Sequence, residues 1–143
     1  MLERRTTLIV ALLAVLALSA GCLATGPNIN DSSPEATVTE YAIAYMAGDV
    51  DVKQQLLAND SHVHPSNVSQ NVTVERIERI NSSQYDDITG TELAALSDDR
   101  ALVNMVLNDT DTNRERAHTF QLTETETGNW RIDTYRVTQL NAS

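Results

Sequence analysis

Apolar positions along this chain change their spacing once, between residues 58 and 72. Before that point they recur every three or four residues, the period of a helix face, and after it they alternate, the period of a strand. Ser33-Pro34-Glu35 reads as an N-cap, a first-turn proline and a first-turn acid. Val38, Tyr41, Ala42, Tyr45 and Met46 then share one helix face, and Gly48 supplies the stop. A second helix is predicted over Asp51 to Ala58, with Val52, Leu56 and Leu57 turned inward. Asn59 to Asn71 is a loop carrying His62, His64 and Pro65.

Strands are predicted at Val72 to Ile80, more weakly at Ile88 to Leu96, and at Ala101 to Leu107, where Ala101, Val103, Met105 and Leu107 lie on one face and Leu102 and Val106 on the other. Arg116 to Glu126 places His118, Phe120 and Leu122 on one face. Glu126-Thr127-Gly128-Asn129 turns the chain into a last strand from Trp130 to Val137. Helices followed by a strand meander predict an α+β domain, its N-terminal helices packed on a curved antiparallel sheet of four or five strands.

A different pattern precedes that domain. Met1-Leu2-Glu3-Arg4-Arg5 is a short positive segment, Leu8 to Ala20 is apolar, and Ser19-Ala20-Gly21 offers the small residues at which a secretory signal is cut. Leu18-Ser19-Ala20-Gly21-Cys22 resembles the lipobox of prokaryotic lipoproteins, in which the cysteine becomes the acylated N-terminus; Ala20, Gly21 and Cys22 match it, whereas Ser19 stands where leucine is usual. Arg4-Arg5-Thr6-Thr7-Leu8 partly resembles a twin-arginine export signal. The uncleaved alternative is an anchor helix, since Thr6 to Asn30 contains no charged residue and about 20 apolar residues span a bilayer. Gly21, Gly26 and Pro27 interrupt such a helix and favour cleavage. The resulting division is a signal peptide at 1–21, a lipidated N-terminus and linker at 22–33 and one domain at 34–140, held outside the cell membrane by lipid on Cys22.

Charge narrows the partners. The net charge is −10, and removing residues 1–21 takes away Glu3, Arg4 and Arg5, which makes it −11. Lys53 is the only lysine. Dispersed carboxylates with almost no lysine resemble the proteins of extreme halophiles such as haloarchaea, where salt screens self-repulsion. No basic stripe is present to neutralise phosphates, so nucleic acid is not expected as a partner. Seven Asn-x-Ser/Thr triplets begin at Asn30, Asn59, Asn67, Asn71, Asn81, Asn108 and Asn141, against about two from composition alone, and mark candidate glycosylation sites, with Asn59 and Asn67 most accessible.

Ala47-Gly48-Asp49 closing the first helix, Leu56-Leu57 closing the second, and Leu122, Gly128, Trp130 and Ile132 in the last hairpin together resemble the nuclear-transport-factor-2-like superfamily, over about residues 34–138. The resemblance is to its small lipoprotein members of unknown function. It implies a cone-shaped domain with a pocket between helices and concave sheet, and a sheet that often supports a homodimer; it implies no single activity.

Tyr41, Tyr45, His118, Phe120 and Trp130 are the candidate pocket residues, brought together if the helix stripe meets the strand faces. Within that group His118 has two readings, a ligand contact or a hydrogen-bonded core residue, of which the second is favoured. An isomerase-like mechanism needs an inward acid beside a hydroxyl donor such as Tyr41, Tyr45 or Tyr85, and Asp133 alternates opposite Trp130 and Ile132, toward solvent. His62-x-His64 is half of a metal site with no cysteine to complete it. No nucleophile elbow, phosphate-binding glycine loop or dinucleotide fingerprint occurs. The reading is therefore a non-enzymatic, lipid-anchored surface domain without cofactor, metal or catalytic residues, acting as an interaction or assembly module for an unidentified protein; the alternative is capture of a small ligand in the cone.

Overall fold

A computed structural model describes residues 33–140. Cys22, Asn30 and Asn141 lie outside them. Helix α1 (Pro34–Ala47) begins where the Ser33 hydroxyl accepts the Ala36 N–H, and ends at Gly48, whose φ of 72° lets its N–H return to the Ala44 carbonyl. Asp49 then caps α2 (Val50–Gln55) by accepting the Val52 N–H. This helix is shorter than the predicted 51–58 because Leu56 to Ala58 bonds to a strand instead. Ile132 N–H donates to the Leu56 carbonyl and Ala58 N–H to the Ile132 carbonyl, each at 2.9 Å.

Four strands follow: β1 (Val72–Ile80), β2 (Arg100–Asp109), β3 (Arg114–Glu124) and β4 (Trp130–Gln139), with helix α3 (Ser82–Thr89) between the first two. They form an antiparallel sheet in the order β1-β2-β3-β4. The α+β class and the helices-then-meander order are as predicted.

The strand predicted at Ile88 to Leu96 is not formed. Asn81 and Gln84 make a reciprocal capping box, Gly90 takes the left-handed C-terminal position, and the eight residues between are helical. The 91–99 segment then runs to β2 without pairing. Together α3 and this segment cover the face of the sheet away from α1, where Ile80, Tyr85 and Leu102 are buried with Ile88, Leu93 and Leu96 against them. That explains why β2 is apolar on both faces, with every residue from Ala101 to Leu107 buried.

The main core lies between α1 and the sheet. Val38, Tyr41 and Ala42 pack on Val103, Met105, Leu107, Phe120, Leu122, Trp130 and Ile132. The sheet is irregular in two places: pairing shifts between Val74 and Arg76 in β1, and Asp133 of β4 is an extra residue between the Leu122–Ile132 and Gln121–Thr134 pairs. After this bulge it is Tyr135, not Thr134, that shares a face with Trp130 and Ile132. Two intervening strands would hold flat edge strands about 14 Å apart. Even so, the Arg79 guanidinium of β1 lies 5.7 Å from the ring centroid of Trp130 of β4, so long side chains close that end of the inner face.

Candidate functional site

Four of the five residues singled out by periodicity meet in one ring cluster. Tyr41 and Tyr45, one turn apart on α1, stack at 6.4 Å; Phe120 meets Tyr41 edge-on at 5.4 Å, and His118 meets Tyr45 edge-on at 5.5 Å. Tyr135 completes the cluster, 5.3 Å from Phe120 and 5.6 Å from His118, parallel to the imidazole within 4°. Offset and edge-on pairs of this kind each contribute about 0.5–1.5 kcal/mol beyond their burial. The fifth, Trp130, belongs to the same core but sits at the other end, beneath Arg79, with its carbonyl accepting from Thr37 Oγ1 at 3.4 Å.

Sequence reasoning missed Tyr135, because strict alternation from Trp130 puts it on the wrong face and only the Asp133 bulge reverses that. It also placed Asp133 in solvent. This side chain is largely covered instead: it is 21% exposed, its Oδ2 is buried without a hydrogen bond, and Arg100 Nη1 stands 3.6 Å away. Burial pushes its carboxyl above the ordinary range, against the pull of Arg100. Tyr85, a candidate hydroxyl donor, lies on the opposite face of the sheet, where its oxygen accepts from Gln121 Nε2 at 3.2 Å.

The favoured hydrogen-bonded reading of His118 is not met. The residue is 2% exposed, and neither Nδ1 nor Nε2 has a hydrogen-bond partner. Burial, and secondarily the Arg116 charge, lowers its pKa to about 4, so the ring is neutral at physiological pH. Arg116, two residues before it on the strand, holds Asp109 Oδ2 at 3.5 Å through Nη2, while its Nε is buried and unpartnered. Burial raises both Tyr41 and Tyr45, which keeps the phenols protonated. At neutral pH the cluster therefore holds a neutral imidazole and protonated phenols among apolar rings.

Lys53, the only lysine, has one of the most deeply buried side chains. It is 2% exposed, its Nζ donates to the Ser66 carbonyl and lies 5.8 Å from the Tyr45 ring centroid. Burial lowers its pKa, opposed by the nearby Asp49 carboxylate. The single lysine thus fastens the Ala58–Gln70 loop across the end of the ring cluster.

His62 and His64 are exposed on that loop, and no group of three or more His, Cys, Asp or Glu side chains able to hold a metal occurs among the described residues. Of the described glycosylation candidates, Asn59 and Asn67 are exposed loop residues. Asn71 donates to Asp111 Oδ1 at 2.9 Å, Asn81 caps α3, and Asn108 is half-buried with its amide nitrogen donating to Asn113 Oδ1 at 3.3 Å. No helix among the described residues is long and apolar enough to cross a membrane.

No family model, curated protein or solved structure matches this chain.

Proposed function

We propose that this chain is a lipoprotein of the outer face of the cell membrane, tethered through lipid on Cys22, whose domain is a cone of the nuclear-transport-factor-2-like kind and works as a non-enzymatic interaction or assembly module. One observation carries the non-enzymatic part: the space between α1 and the sheet is filled by rings whose centroids stand 5.3 to 6.4 Å apart, which is contact distance for aromatic side chains. A packed interior holds a surface in shape. The contact between Arg79 and Trp130, closing one end of the inner face, supports the cone.

A second reading rests on the three buried nitrogens without partners, Nδ1 and Nε2 of His118 and Nε of Arg116. Buried polar groups are nearly always satisfied, and a small ligand entering between α1 and β3 would satisfy these. Thermal-shift measurements on the full chain in detergent micelles, against a small-metabolite library, separate the two. The module reading predicts no stabilising compound whose effect vanishes in His118→Phe; one such compound makes the protein a ligand-binding lipoprotein. The tether is tested separately by Cys22→Ser. The variant should leave the membrane fraction, and retention there with an intact N-terminus would refute lipid anchoring.

A further inference from the structure

A cleft of about 330 Å³ opens where the end of β1, the start of α3, residues 95–98 and the start of β2 converge. Its size is at the lower end of the range for small-molecule sites. The floor is apolar: Ile80 and Leu102 are buried, and Leu96 is half-buried against them. Arg79 and Arg100 are among the residues that line the cleft.

Neither cation is neutralised tightly. Arg79 lies over the Trp130 ring, which fixes a guanidinium without cancelling its charge, and it belongs to none of the ion pairs among the described residues. Arg100 is 3.6 Å from Asp133, a long pair whose cationic side chain is 51% exposed while the carboxylate is 21% exposed. Ser82, at the first position of α3, adds a hydroxyl and its own first-turn amide, the Gln84 amide being taken by the Asn81 side chain. One carboxylate, Asp98, shares the lining and disfavours a polyanion. With Asp133 beside Arg100 and Asp98 in the lining, two cations meet two acids here, a locally neutral patch over an apolar floor on a chain of net charge −10.

We propose that this cleft binds a small organic oxyanion, a carboxylate or phosphate monoester with a short apolar body. The oxyanion meets Arg79, Arg100 and the start of α3; the apolar body covers Ile80, Leu96 and Leu102. None of these residues belongs to the ring cluster, so the site stands or falls independently of the module reading.

The test is titration of the full chain in detergent micelles with benzoate, phenyl phosphate, acetate and inorganic phosphate. Calorimetry and emission from Trp130, the only tryptophan, report binding. Benzoate or phenyl phosphate should bind saturably, with acetate and inorganic phosphate at least about tenfold weaker for want of the apolar contact. Arg79→Gln should weaken binding about tenfold. Because that change also removes the contact with Trp130, Ser82→Glu is the second variant: an acid in the first turn favours α3 while repelling the ligand, so thermal stability should hold or rise as affinity falls. No saturable response to any of the four probes up to about 10 mM, a level at which even millimolar sites fill, would overturn the assignment. So would equal affinity for acetate and benzoate, or affinity unchanged in Ser82→Glu.

Discussion

The rings of His118 and Tyr135 lie face to face, 5.6 Å between centroids and 4° from parallel, although β3 and β4 pair His118 with Val137 and give Tyr135 to Phe120. The stacking is thus diagonal across the strand pair, within reach of aromatic side chains. It encloses an imidazole that makes no hydrogen bond, so His118 is held by shape alone, and its charged form is excluded.

That exclusion has a pH signature. Free in the unfolded chain, His118 protonates near its ordinary value of about 6.5; folded, it resists protonation down to about 4. Between these values the unfolded state binds more protons, so stability is complete above about pH 6.5 and falls by about 3 kcal/mol as the pH drops to 4. Asp133, shifted upward by burial, works in the opposite sense but is common to both proteins compared. Denaturant titrations of the wild type and His118→Phe at pH 7.5 and 4.5 isolate the histidine. The wild type should lose far more stability than the variant, and equal losses would place the acid sensitivity elsewhere.

Helices α1 and α2 and the four strands were legible because their signals are local. Ser33-Pro34 and Gly48 bracket α1 by capping chemistry, and the double-faced apolar run of β2 is a strand buried on both sides. What could not be read depended on tertiary pairing. The stretch at Ile88–Leu96 carried a faint alternation that the Asn81–Gln84 box and Gly90 overrode. The Asp133 bulge exchanged the faces of everything after it and hid Tyr135, and the cover over Asp133 comes from Arg100, a residue on another strand. For Lys53 no sequence signal was available, since its acceptor is a main-chain carbonyl 13 residues away.

Two glycines with the same backbone conformation should respond differently to alanine. Gly48 and Gly90 have φ of 72° and 65°, a conformation costing an L-residue about 1–2 kcal/mol. A Cβ at Gly90 meets nothing within 4 Å, whereas at Gly48 it falls 2.7 Å from both the Asn67 oxygen and the Ser69 nitrogen. Thermal unfolding should show Gly90→Ala destabilised by about 1–2 kcal/mol and Gly48→Ala by about 2–4 kcal/mol as main chain is forced apart. Equal costs would mean that the 67–69 loop yields freely.

Lys53 is expected to hold that loop in place. Lys53→Ala removes a charged hydrogen bond to Ser66 and should cost about 1.5–3 kcal/mol, with faster limited proteolysis between residues 59 and 69. Lys53→Met keeps the packed stem and should recover part of the stability while leaving the loop more easily cut than in the wild type. Unchanged cleavage in both variants would show that other contacts fasten it.

The central claim, that the interior is packed structure rather than a site, is tested most directly by the equilibrium stability of Phe120→Ala beside His118→Phe. Phe120 is fully buried between Tyr41 and Tyr135, so its truncation should empty core volume and cost about 3–5 kcal/mol. Replacing an unsatisfied imidazole by an apolar ring of similar shape should cost less than about 1 kcal/mol or stabilise the fold. The opposite result, a mild Phe120→Ala and a His118→Phe that loses several kcal/mol, would mean that the cone encloses a hollow in which His118 has a polar partner.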